Sequence, residues 1–110
     1  MPHSVDKLLI DIRIACEEIQ SFVQGQDFEM FLSSRLLQLG LEREFEIIGE
    51  ALVRLERIDA ERLECKIPEY RKIIGFRNLV AHGYDIIDDA ALWDLTQNHV
   101  PELLLKIERY

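Results

Sequence analysis

Leu41-Glu42-Arg43-Glu44-Phe45-Glu46-Ile47-Ile48-Gly49-Glu50-Ala51-Leu52-Val53-Arg54-Leu55 repeats its apolar side chains with the period of an α-helix. Leu41, Phe45, Ile48, Leu52 and Leu55 recur at steps of four and three, which makes a heptad-like seam along one face. Arg43, Glu46, Glu50, Arg54 and Arg57 form a second row with the same steps. Opposite charges three or four apart on a helix meet, so this row reads as intrahelical ion pairs of a few tenths of a kcal/mol each. Glu46 and Glu50 have the spacing of carboxylate metal ligands, but no E-x-x-H partner accompanies them, which favours the ion-paired face.

Outward from that stretch, residues 28–57 read as the longest helical run, with Gly40 as the expected break or bend. Upstream, a helix is predicted from Ser4 to Gln24. Ser4 is its N-cap, Asp6 lies in its first turn, and Val5, Leu8, Ile12, Ala15, Ile19 and Phe22 form its apolar stripe. Gly25-Gln26-Asp27 is the following turn, with Asp27 as the next N-cap. Downstream, residues 58–68 read as a short helix or turn ending at Pro68. A helix is then expected over Glu69–Ala81, stopped by His82-Gly83. The last helix runs from Asp89 to Glu108, with Asp88 or Asp89 as N-cap. Leu92, Leu95, Leu103 and Ile107 point inward, and Pro101 is a site for a kink. The Ile-Ile-Gly triplets at 47–49 and 73–75 suggest two helices crossing closely at Gly49 and Gly75. Amphipathic helices joined by short loops pack most economically as an antiparallel bundle of four or five helices.

Composition limits what such a bundle does. The chain has 110 residues, 48% hydrophobic and 31% charged, which suits one globular domain over residues 1–110. Thirteen basic against 21 acidic residues give a net charge of -8. A surface that grips nucleic acid all over is therefore excluded, while a small basic site is not. No apolar run reaches membrane-spanning length, and no secretory signal is visible at the N-terminus, so a cytoplasmic location is expected. Cys16 and Cys65 are too few for a disulfide framework and read as two reduced, half-buried thiols. His3 reads as mobile, and His99 as a packing or rim residue.

The chemistry concentrates in Ile73-Ile74-Gly75-Phe76-Arg77-Asn78-Leu79-Val80-Ala81-His82-Gly83-Tyr84. Arg77 and His82, five apart, lie about 140° apart on a straight helix, so only a turn at Gly83 brings them together. Asn78 and His82 share a face. A histidine in the last turn of a helix exchanges protons near neutral pH, and an arginine offers a planar fork to a phosphate. Arg77 and His82 together, without a carboxylate cluster, suit metal-free phosphodiester chemistry. In a dimer, Arg71 and Lys72 are candidates to join Arg77 in a local positive cleft. The bland alternative has Arg77 and His82 bonding helix-end carbonyls while Tyr84 packs on the last helix.

This segment resembles the signature of the HepT-like toxins of the HEPN superfamily, an R-x4-H-x-Y motif after an IIG-x-RN lead-in. Phe45-Glu46-Ile47-Ile48-Gly49-Glu50-Ala51, Asp27-Phe28-Glu29-Met30-Phe31-Leu32, and Trp93 with Val100-Pro101-Glu102-Leu103 resemble further segments of that family in order and spacing. Tyr70 departs from it, standing where many relatives have tryptophan. The resemblance implies an all-α HEPN bundle and a homodimer whose R-x4-H segments meet in a composite active site. It implies an RNA endonuclease that needs no metal or cofactor, with Arg77 and His82 catalytic and Asn78 supporting. It also implies a minimal nucleotidyltransferase antitoxin as partner, which transfers AMP to Tyr84. The competing expectation is a non-catalytic module that binds a nucleotide or that nucleotidyltransferase.

Overall fold

A computed structural model describes residues 4–81 and 88–110. His82 and Tyr84 lie outside the described residues, as does the expected turn at Gly83. Among the described residues every regular element is helical: α1 (Val5–Val23), α2 (Phe28–Leu32), α3 (Arg35–Lys66), α4 (Tyr70–Ala81), α5 (Asp89–Asp94), a π-helical turn (Leu95–His99) and α6 (Val100–Glu108). The last three form one continuous rod. The all-α bundle is thus present, with four long rods and the short α2 as a fifth.

Local chemistry sets the boundaries. Ser4 caps α1 by accepting from Lys7 N at 3.1 Å, and Asp27 caps α2 by accepting from Met30 N at 2.8 Å. Gly25 sits between them at φ 74°, a left-handed turn that glycine adopts without a Cβ penalty. Asp88 caps α5 through Ala90 N and Ala91 N.

The expected break at Gly40 needs correction. The long run breaks at Ser33-Ser34, because Ser34 caps a new helix through Leu37 N at 3.1 Å. Gly40 lies inside α3 with regular helical backbone, beside the Phe22 ring. The short helix expected over residues 58–68 is present: non-helical backbone at Asp59 (φ -150°, ψ 40°), where Asp59 Oδ2 accepts from the Tyr110 hydroxyl at 2.8 Å, kinks α3 and sets off a last helical piece that ends at Lys66. The site expected for a kink, Pro101, follows a π-helical turn directly. In that turn Val100 N bonds Leu95 O, five residues back, just before the residue that has no N–H to give.

The core is one apolar cluster. It takes Leu8, Ile12, Ala15, Cys16 and Ile19 from α1, and the predicted seam Leu41, Phe45, Ile48, Leu52 and Leu55 from α3. Ile73 and Phe76 of α4 and Leu92, Leu95, Leu103 and Ile107 of the last rod complete it. α3 lies centrally between α1 and α4, and α6 closes on α1. Phe22, placed on the stripe by spacing, is 40% exposed at the end of α1. Cys16 is buried, and desolvation pushes its thiol up to about 12, so it is inert; Cys65 is exposed rather than half-buried. Tyr70 is buried at the start of α4 and donates its hydroxyl to Glu56, the polar partner that a buried phenol needs.

Candidate active site

Arg77 lies two turns along α4 from its start, on the face turned toward α3. Phe76 beside it is buried against Phe45, with ring centroids 5.7 Å apart, and this contact fixes the rotation of α4. The Arg77 stem then crosses α3 at Gly49. A Cβ on Gly49 would lie 2.3 Å from Arg77 Cβ and 2.5 Å from its Cγ. The missing side chain is therefore the socket that Arg77 occupies. Gly75 has no such neighbour: a Cβ there would meet nothing within 4 Å. Of the two suspected contact glycines, the structure uses Gly49, and it uses it for an arginine side chain.

Beyond the socket, Arg77 Nη2 donates to Glu50 Oε2 at 2.5 Å, and Nη1 donates to Asn78 Oδ1 at 2.9 Å. Arg77 Nε is buried without an acceptor among the described residues. The guanidinium is thus held at both terminal nitrogens and remains partly open, with 27% of the side chain exposed. Glu50 also accepts from Arg54 Nε at 3.2 Å, so one carboxylate orients two arginines. Asn78, expected to support the site, accepts from Arg77; its relation to His82 lies outside the described residues.

The charged row on α3 forms the predicted pairs Arg43–Glu46 at 3.7 Å and Arg54–Glu50 at 3.2 Å, while Arg57 makes no such pair among the described residues. Periodicity could not show that Glu50 also reaches across to α4. The cations gathered near Arg77 are Arg43 and Arg54, which line one cleft with it. Arg71 and Lys72 do not line it. Arg71 pairs with Glu64 at 3.1 Å and lies over the Tyr70 ring, and Lys72 donates to His99 Nε2 at 3.2 Å. His99 is accordingly a rim residue, as its place in the sequence suggested.

Glu50→Gln tests the positioning role. The partly exposed pair contributes no more than about 1 kcal/mol of stability, so thermal unfolding should hardly change. Any phosphodiester cleavage that depends on Arg77 should slow about tenfold as it loses its anchor, a drop read by comparing kcat with KM for the variant.

The all-α bundle is of the HEPN type, with Arg77 of α4 held by α3. The chain belongs to the Ribonuclease HepT-like family, whose pattern it matches over residues 12–110. It is similar to "Putative RNase MJ1380" of Methanocaldococcus jannaschii, 27% identical over 106 residues covering 96% of this chain and 95% of that protein. It is also similar to "Putative RNase TTE0752" of Caldanaerobacter subterraneus subsp. tengcongensis, 32% identical over 88 residues covering 80% and 77% of the two chains. No solved structure matches it. Among the described residues no helix is long and apolar enough to cross a membrane.

Proposed function

We propose that this protein is a metal-independent RNA endonuclease, the cytoplasmic toxin of a HEPN and nucleotidyltransferase toxin–antitoxin pair. The observation that carries the reading is the Gly49 socket, which seats Arg77 with its guanidinium fixed by Glu50 and Asn78. Preorganised donors of this kind stabilise charge as it develops on a phosphoryl group. Family membership and the relatives named as RNases support RNA as the substrate.

In the proposed reaction His82 takes the proton of a ribose 2′-OH. The 2′ oxygen attacks phosphorus, the bond to the 5′ oxygen breaks, and the leaving oxygen takes a proton from the imidazolium. Arg77 stabilises the negative charge on the pentavalent intermediate. Products are a 2′,3′-cyclic phosphate and a 5′-OH. Two copies contribute their R-x4-H segments to one composite site. AMP carried on Tyr84 places a bulky anion two residues from His82, which blocks the cleft and repels RNA phosphate.

Unmodified protein should cleave RNA, and treatment with the nucleotidyltransferase and ATP should add the mass of AMP to Tyr84 and abolish cleavage. Tyr84→Phe should keep its cleavage under the same treatment. A dimer that binds nucleotide or the nucleotidyltransferase but cuts no RNA, with Tyr84 verified unmodified, would establish the binding module instead.

A further inference from the structure

A cleft of about 320 Å³ opens beside Arg77 between α1, α3 and α4. Its floor is apolar, with Leu8 and Ala51 buried and Ile47 half-buried. Arg43, Arg54 and Arg77 on its walls are matched by Asp11, Glu46 and Glu50. Among the described residues that line it, the formal charges cancel. Apart from Arg77 at its edge, the cation that the proposed reaction uses on phosphate, the cleft has no surplus charge for a second phosphate, so the rest of it is built for something else. An apolar floor with planar cations at the sides and carboxylate acceptors suits a flat, uncharged ring bearing N–H donors. An unstacked RNA base has that character: its faces lie on guanidinium planes and its edge makes the hydrogen bonds.

The three carboxylates differ in what they have left to give. Glu50 accepts from both Arg77 and Arg54, and Asp11 is bonded by Lys7. Glu46 accepts no hydrogen bond among the described residues, and its nearest cation, Arg43, stands 3.7 Å away. A carboxylate only accepts. Guanine presents N1–H and its 2-amino group side by side, matching the two oxygens of one carboxylate. Adenine and cytosine present an amino donor beside a ring acceptor, and uracil a single N–H between two carbonyls. Each would turn a lone pair toward Glu46.

We propose that this cleft receives a guanine base of the RNA, next to the phosphate held by Arg77, with Glu46 accepting from N1–H and the 2-amino group. The placement beside the scissile phosphate rests on the ribonuclease reading; recognition of the base does not. The test titrates 3′-GMP, 3′-AMP, 3′-CMP and 3′-UMP into wild type and Glu46→Gln, read by calorimetry and by the methyl resonance of Ile47. Glu46 is a partly exposed helix residue, so its replacement leaves the bundle intact. Wild type should bind 3′-GMP about tenfold more tightly than the other three, the worth of one bidentate contact. Glu46→Gln should bind all four alike, and RNA cut by wild type should show guanine at a fixed position beside the break. Equal binding of the four nucleotides by wild type, or a guanine preference that survives in Glu46→Gln, would overturn the proposal. Guanine-selective binding without RNA cleavage would keep the pocket and remove the nuclease reading. Cleavage without guanine selectivity would do the reverse.

Discussion

Gly49→Ala should reduce RNA cleavage as severely as Arg77→Ala does, by at least about a hundredfold, while the protein still folds. The added Cβ would lie 2.3 Å and 2.5 Å from two carbons of the Arg77 stem, and neither is the far end of a flexible chain. Something near the α3–α4 crossing must move by an ångström or more. If Arg77 leaves the socket, its guanidinium loses Glu50. If α4 lifts away, the whole R-x4-H segment shifts. Displacements of that size in a positioned group typically remove about two orders of magnitude in rate. The accompanying loss of stability should be about 1–3 kcal/mol, the usual penalty of overpacking. Gly75→Ala is the matched control. It adds the same methyl group to the same helix as Arg77, but into open space. Removing glycine from a helix interior stabilises by roughly 0.5–1 kcal/mol, so that variant should melt higher than wild type. Equal activities for the two variants would show that the socket does not matter.

The second large effect is on stability against pH. Glu44 is 6% exposed on the buried side of α3, and its Oε2 has no hydrogen-bond partner among the described residues. Burial pushes its carboxyl up from 4.5 to about 7, helped by the negative charge of Glu18 and a hydrogen bond with it, and opposed by Arg43. The folded state therefore keeps a proton that the unfolded chain gives up between these two values. The stability tied to that proton is complete below pH 4.5 and is lost as pH rises through about 7. The gap corresponds to about 3 kcal/mol. Glu44→Gln, neutral at every pH, should match wild type near pH 4 in urea unfolding and exceed it by up to about 3 kcal/mol at pH 8. The difference between the two proteins isolates this group, because every other titration is common to both. A difference that stays constant from pH 4 to 8 would show that Glu44 is ionised in the fold.

Most of the architecture was legible because it is local. Ser4, Asp27 and Asp88 cap helices through their own neighbouring amides, and the apolar periods of α1, α3 and α6 point into one core. The break in the long run was misplaced because Gly40 and Ser33-Ser34 compete for it. A glycine only weakens a helix, whereas a serine can start a new one by capping it, and the cap won. The kink at Asp59 carries a hydrogen bond from Tyr110, 51 residues away, which no local pattern contains. The candidate site divides in the same way. Arg77 and Asn78 stood out by residue type and spacing. Glu50 did not, because a row of alternating charges reads the same whether it faces water or another helix. The triplets at 47–49 and 73–75 marked two glycines equally, and only the crossing of α3 and α4 shows that Gly49 receives a side chain while Gly75 faces open space.

The central claim is that Arg77 and His82 cut RNA by transesterification. It is tested most directly by incubating unmodified protein with RNA in EDTA, beside His82→Ala and Arg77→Ala, and identifying the ends of the products. The account predicts 2′,3′-cyclic phosphate and 5′-OH ends from wild type and none from either variant. Cleavage that persists in His82→Ala, or products bearing 3′-OH and 5′-phosphate ends, would contradict it.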